Sequence, residues 1–210
     1  MKRFLAITFL VIFTFSLTAC SNEQKKEESS KKASASSVND NNKNKTEPKT
    51  TEKTKLMVTS DAIVNGKIAD EYGKRGTQIK NKVPTRSIPI TISSAPAGTV
   101  CYAITMTDPD SKPVCGYEWL HWLATNIETK EISANASIDL KDSIIQGKNS
   151  FGTIGYGGPT PPDKAHEYVI TVYALNEKLQ LKSGYSLDDF KVASDGHVLD
   201  SFTFTGSYDK

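Results

Sequence analysis

Between Ser21 and Lys55 the chain has no aromatic residue and a single valine among lysines, serines, asparagines, threonines and glutamates. Such a segment cannot bury enough apolar surface to offset the entropy of ordering it, so the fold must be built from the residues C-terminal to it. About 155 residues remain, enough for one domain with a substantial core and no crosslinks. Neither a repeat nor a second domain is visible in them. The polar segment reads as a tether, spanning on the order of 30 to 35 Å at about 5 to 6 Å times the square root of its length. Its nine lysines and six acids are intermixed, which fits a solvated spacer better than a sensor of anionic lipid.

Upstream, Lys2 and Arg3 precede an apolar stretch, Phe4–Leu17, too short to cross a bilayer and typical of a secretory signal. It ends in Leu17-Thr18-Ala19-Cys20, which resembles the lipobox cleaved by bacterial lipoprotein signal peptidase. The resemblance implies a signal peptide over residues 1–19, a lipidated Cys20 opening a tether over 20–55, and a domain over 56–210. The protein would then be anchored through lipid to the extracytoplasmic face of a bacterial cell membrane. Two or more acyl chains, at about 0.8 kcal/mol per buried methylene, make such an anchor stable.

The whole chain has a formal charge of +2, yet residues 56–210 carry a net charge of −3. Nucleic acid is therefore not an expected partner. After Cys20 only Cys101 and Cys115 remain, and outside the cell such a pair is open to oxidation. Against a bridge, Cys101 sits in a strand pattern where a small buried thiol packs well, while Cys115 lies in a loop.

Runs rich in β-branched and aromatic residues predict strands over Leu56–Ser60, Ile88–Ser93, Val100–Thr107, Trp119–Ile127, Tyr168–Leu175 and Val198–Gly206. The fold is expected to be mainly β, with few short helices. One helix is predicted from Ser186, with Asp189 as capping-box partner and Gly196 closing it. Leu187, Phe190 and Ala193 form its apolar stripe. Two loops, Asp108–Glu118 and Gln146–His166, are long for a small domain, which marks them as functional or disordered.

The first loop opens with Thr107-Asp108-Pro109-Asp110, where the proline holds Asp108 extended as the strand ends. Taken alone, that reads as an Asx turn with a solvated side chain before it reads as an aimed carboxylate. Glu118-Trp119-Leu120-His121-Trp122 comes next. Its Glu-x-x-His spacing would suit a metal on a helix, but in a strand it sends Glu118 and His121 to opposite faces while Trp119 and His121 share one. No metal is therefore expected, and a lone histidine among aromatics is a core group unless a second polar group meets it. The second loop holds Gly155-Tyr156-Gly157-Gly158-Pro159-Thr160-Pro161-Pro162, and then His166-Glu167-Tyr168 leads into a strand. Glycines leave N–H groups free to approach a ligand, and prolines stiffen the wall.

These motifs, in this order and spacing, resemble the phosphatidylethanolamine-binding proteins, also called Raf-kinase-inhibitor-like. Ala95-Pro96-Ala97-Gly98-Thr99, Gln146-Gly147-Lys148-Asn149 and Gly196-His197-Val198-Leu199 resemble the family's bacterial branch, so that the likeness covers residues 56 to 208. It implies a β-sandwich of two sheets with a small anion-binding pocket at one end. Carried over by motif, the pocket would comprise Asp108, Trp119, His121, Pro162, His166 and Tyr168, with Glu118, Tyr156 and Thr160 at its edge. Glu167 stands where relatives often have Arg, and Thr160 where Gly is common, which could weaken anion binding or change the preferred ligand.

The chemistry of these residues suits a small anionic, phosphorylated or zwitterionic ligand. Two imidazoles are expected to donate to phosphoryl oxygens, most strongly when protonated, with Asp108 orienting one ring or receiving an ammonium. His197, just past a helix end, is expected to be structural. A protein-interaction module that inhibits a protease or kinase is the alternative the family resemblance implies. Acid–base catalysis by Asp108, His121 and His166 is the weakest reading, because no Gly-x-Ser-x-Gly elbow, motif-paired Cys and His or three-ligand metal set is present, and no cofactor is expected.

Overall fold

In the computed structural model, which describes residues 54–210, the segment Cys101–Asp108 is the strand around which the domain is built. The expected signal segment, Cys20 and nearly all of the tether lie outside the described residues. The strands are β1 (Met57–Thr59), β2 (Ile63–Val64), β3 (Lys67–Ile68), β4 (Ile79–Lys80), β5 (Val83–Pro84), β6 (Ile90–Ser94), β7 (Cys101–Asp108), β8 (Trp119–Ile127), β9 (Glu131–Ile132), β10 (Ile145–Gln146), β11 (His166–Leu175) and β12 (Val198–Tyr208). Helices are short: α1 (Lys112–Cys115), α2 (Ala136–Asp139) and α3 (Leu187–Ser194). The mainly β expectation and the positions of all six predicted strands hold, with ends shifted by one or two residues. The paired segments of two residues each carry too little periodicity to be read from sequence.

A seven-stranded sheet runs in the order β10-β8-β7-β11-β12-β3-β2, and a three-stranded sheet runs β1-β6-β9. Every pair is antiparallel except β12 with β3. The main core lies between the two sheets, where Val58, Ile90, Ile92 and Ile132 of the small sheet meet Ile104, Met106, Trp122, Ile170 and Val172 of the large one. A second cluster on the opposite face of the large sheet joins Ala103 and Leu123 to Leu179, Tyr185 and Phe190 of α3. Covered on both faces, β7 is buried along its whole length apart from Thr107, which is why Cys101 to Ile104 run apolar without alternation. On β11, by contrast, burial alternates from His166 to Ala174, as a strand covered unequally on its two faces requires.

The helix α3 begins as its sequence specifies. Ser186 Oγ accepts from the Asp189 N–H at 3.1 Å, and the Asp189 carboxylate accepts from the Ser186 N–H at 2.9 Å. At the start of the domain, the Leu56 N–H donates to Asp200 Oδ2 at 2.9 Å. Asp200 pairs with Ala174 in the β11–β12 ladder, whereas His166 pairs with Tyr208 at the ladder's other end.

Both cysteines are free, Cys101 buried and Cys115 exposed. Cys101 opens β7 and Cys115 lies in α1, beyond the strand's other end. The seven steps of β7 from Cys101 to Asp108 span roughly 24 Å at 3.4 Å per residue, so Cys101 lies at the far end of the strand from the loop that carries Cys115, where bridged Cα atoms must lie within about 7 Å.

Candidate functional site

Because the ladder is antiparallel, the end of β7 and the beginnings of β8 and β11 lie at the same end of the large sheet. The two long loops join them there. Together they enclose a cavity of about 190 Å³ lined by Asp108, Ser111, Val114, Cys115, Trp119, His121, Phe151, Thr160, Pro162 and His166. Of the positions expected in the pocket or at its edge, some line this cavity and others are drawn into the core or outside the wall.

Asp108 ends β7 with only 4% of its surface exposed. Pro109 starts a single 3-10 turn, and Asp108 Oδ1 caps it by accepting from the Ser111 N–H at 3.1 Å. The turn expected of the tetrapeptide forms, but the Asp108 side chain is buried and not solvated: one carboxylate oxygen makes the turn, and the other, Oδ2, contacts His166 Nδ1 at 2.7 Å. Ser111 locks the loop, its Oγ lying 2.6 Å from the Asp108 carbonyl while accepting from the Trp119 N–H at 2.8 Å. Asp110 accepts from the Glu167 N–H at 2.9 Å and so ties the first loop to the start of β11.

His166 is 1% exposed, and its second nitrogen, Nε2, lies 2.8 Å from Asp163 Oδ1. Burial pulls its pKa down, but hydrogen bonds and charge from Asp108 and Asp163 outweigh that and hold it above 6.5. With a carboxylate on each nitrogen, the ring is an imidazolium that donates in both directions.

His121 has the opposite character. Its Nδ1 lies 2.5 Å from the Gly157 carbonyl, which can only accept, so Nδ1 carries the ring proton. Burial drives its pKa down to about 4 against weaker opposing contributions from Gly157 and Asp108. The ring is therefore neutral near pH 7 with Nε2 unprotonated, and the expectation that both imidazoles donate to an anion is corrected: His121 Nε2 accepts. The ring stands edge-on to Tyr168 at 5.0 Å and to Phe151 at 5.7 Å between centroids.

A β-bulge places this histidine. Thr107 pairs with Leu120 and Met106 with Trp122, which leaves His121 as the extra residue. Leu120 and Leu123 then join the outer cluster, and both His121 and Trp122 turn inward, Trp122 to the core and His121 to the cavity. Strict alternation would have separated those two neighbours. Trp119 lies on the cavity wall, stacked on Tyr117 at 5.6 Å and edge-on to Phe151 at 5.2 Å. Its indole N–H is buried with no acceptor among the described residues.

Three expected positions lie elsewhere. Tyr156 belongs to the core and not the pocket edge: it is 3% exposed, its hydroxyl donates to the Tyr72 carbonyl at 2.9 Å, and its ring meets Trp122. Tyr168 is fully buried beneath His121 and supports that ring without lining the cavity. Glu118 pairs with Lys112 at 2.9 Å outside the wall, and hydrogen bonds from Thr107 and Lys112 keep its carboxyl below the ordinary range. Pro162 and Thr160 do line the cavity. His197 is remote from it, beside Asn176 at 3.1 Å and Glu177 at 3.5 Å.

The wall also contains Ser111, Val114 and Phe151, which the sequence does not single out, and Cys115, which it offers only as a disulfide partner. The length of the first loop was the available signal for Ser111, Val114 and Cys115. Phe151 carried none, since an aromatic two residues past a loop motif has no periodicity to assign it. Among the described residues no group of three His, Cys, Asp or Glu is placed to hold a metal.

The sequence profile described as phosphatidylethanolamine-binding protein matches residues 59–209. The chain is similar to YxkA of Bacillus subtilis, 39% identical over 146 residues, which are 63% of this chain and 84% of that protein. In structure it is similar to the phosphatidylethanolamine-binding protein homologue CT736 of Chlamydia trachomatis, with 28% identity, a TM-score of 0.65, and coverage of 74% of this chain and 98% of that one. YbcL of E. coli, a member of the same family, gives 28% identity and a TM-score of 0.64 over 74% of this chain and 99% of its own. With the profile spanning well over half its length, the chain belongs to the phosphatidylethanolamine-binding protein family.

Proposed function

We propose that this protein is a binding module for a small phosphorylated, anionic or zwitterionic ligand, held at the cavity by His166 and not chemically transformed there. The observation that carries the reading is the buried His166 ring, held between Asp108 at 2.7 Å and Asp163 at 2.8 Å, on the wall of a cavity of about 190 Å³. A charge-assisted donor in a poorly solvated wall binds an anionic oxygen more strongly than the same donor in water. Beside it, the unprotonated Nε2 of His121 accepts from a ligand hydroxyl or ammonium. A group bearing both an anionic oxygen and a donor, such as phosphoethanolamine, answers both histidines. The same features argue against acid–base catalysis: His166 has a carboxylate on each nitrogen, and His121 does not titrate near neutrality.

We also propose that the module is exported and anchored through a lipid on Cys20, on the strength of the lipobox-like sequence alone. Among the described residues no helix is long and apolar enough to cross a membrane.

Calorimetry on the full chain tests the ligand reading. His166→Gln keeps a donor for Asp108 but removes the charge, and should weaken phosphate and phosphoethanolamine by about 1.5 to 3 kcal/mol, the scale of a hydrogen bond to a charged group. With sulfate, whose charge is constant near neutrality, affinity should fall as pH rises through the raised pKa of His166, above 6.5. Equal binding by the variant and the native chain would refute the assignment.

A further inference from the structure

The two carboxylates on His166 are held very differently. Asp108 is 5% exposed in its side chain and fixed by its turn. Asp163 is 50% exposed in its side chain and lies in the loop three residues before the histidine. Its Oδ1 nevertheless sits 2.8 Å from Nε2, the ring nitrogen that Asp108 does not reach. We propose that Asp163 is a resident competitor, its carboxylate holding the place on His166 Nε2 that the anionic group of a ligand takes, so that a ligand enters by displacing it into solvent. This rests on the reading of the cavity as an anion site.

The chemistry of such a competitor has two consequences. A carboxylate attached to the same chain competes at high effective concentration, so it weakens every incoming anion by a similar factor. A simple carboxylate ligand exchanges one N–H···O contact for another of the same kind and gains little. A phosphoryl group replaces that contact and still has oxygens left for a second donor on the cavity wall, such as the Thr160 hydroxyl. Asp163 thereby sets one threshold for every anion, which a phosphoryl group with its several acceptors clears more readily than a lone carboxylate does.

The test measures phosphate and acetate affinity by calorimetry at one pH on the full chain, as native protein, Asp163→Ala and His166→Gln. Asp163 is half exposed but is one of the two partners of buried His166, so thermal unfolding is followed alongside to show that each variant is folded at the temperature of the titration. Asp163→Ala should tighten both ions by the same factor, about threefold to tenfold, between the strength of an exposed ion pair and that of a hydrogen bond to a charged group. A field effect without occupancy would favour the ion of higher charge, so a gain for phosphate alone overturns the proposal. So does unchanged or weaker binding of both ions. If His166→Gln loses phosphate while Asp163→Ala binds it like the native chain, the anion site stands and the competitor falls. If neither the native chain nor Asp163→Ala binds phosphate, both readings fall together.

Discussion

His121 and His166 line one cavity yet are tuned in opposite directions, and the cause is what each ring nitrogen touches. A carbonyl and aromatic edges surround His121, so burial dominates; two carboxylates flank His166 and override it. These shifts predict how stability depends on pH. His121, held at about 4, refuses in the folded state a proton that the unfolded chain accepts near 6.5. Its contribution is complete above 6.5 and is lost as pH falls toward 4, by up to about 3 kcal/mol. His166, raised above 6.5, contributes fully below 6.5, and that contribution is lost as pH rises through its folded value. Urea unfolding at pH 7 and pH 5 should show the acid loss, and His121→Asn, which keeps a donor for Gly157 but has no ring to protonate, should flatten it. An acid limb unchanged in that variant would place the loss elsewhere. The residue types of the site were legible in the motifs, but the protonation of each ring was not. Gly157 and Asp163 reach the histidines through loop folding, which a linear spacing does not encode.

At the scale of elements, periodicity found the long strands and the capping box found α3, since both signals are local. The bulge at His121 is not local. It exists because the partner strand pairs Leu120 and Trp122 with adjacent residues, Thr107 and Met106, and no property of the single strand announces it. Tyr156 was misplaced for a related reason: a tyrosine in a glycine-rich loop resembles a rim residue until the loop folds back and inserts it beside Trp122. The same loop offers an element-level test at Gly157, whose carbonyl holds His121. A Cβ built there would come within 2.5 Å of the Phe151 ring, a clash that must move either the cavity wall or the carbonyl. Gly157→Ala should cost about 1 to 3 kcal/mol in urea unfolding, the range for overpacking, and should weaken phosphate binding at the same time. A variant as stable as the native chain would show that the loop yields freely.

For the molecule as a whole, the resemblance in motifs and the family profile agree on nearly the same residues, 56 to 208 from the one and 59–209 from the other. Agreement of this kind arises because the motifs mark the ends of strands that the fold brings to one place. The segment N-terminal to the domain is a matter for experiment: metabolic labelling with a fatty acid should mark the native chain and leave Cys20→Ala unlabelled, and an unlabelled native chain would remove the anchor from the proposal. The hydrogen bond from Leu56 to Asp200 bears on where the domain begins relative to its cavity. Asp200 lies beside Ala174, eight residues along β11 from His166, or roughly 27 Å at 3.4 Å per residue. The strand that opens the domain and the cavity that would take a ligand are therefore opposite poles of one pair of strands, so that what is joined at Leu56 and what is bound beside His166 do not share a face.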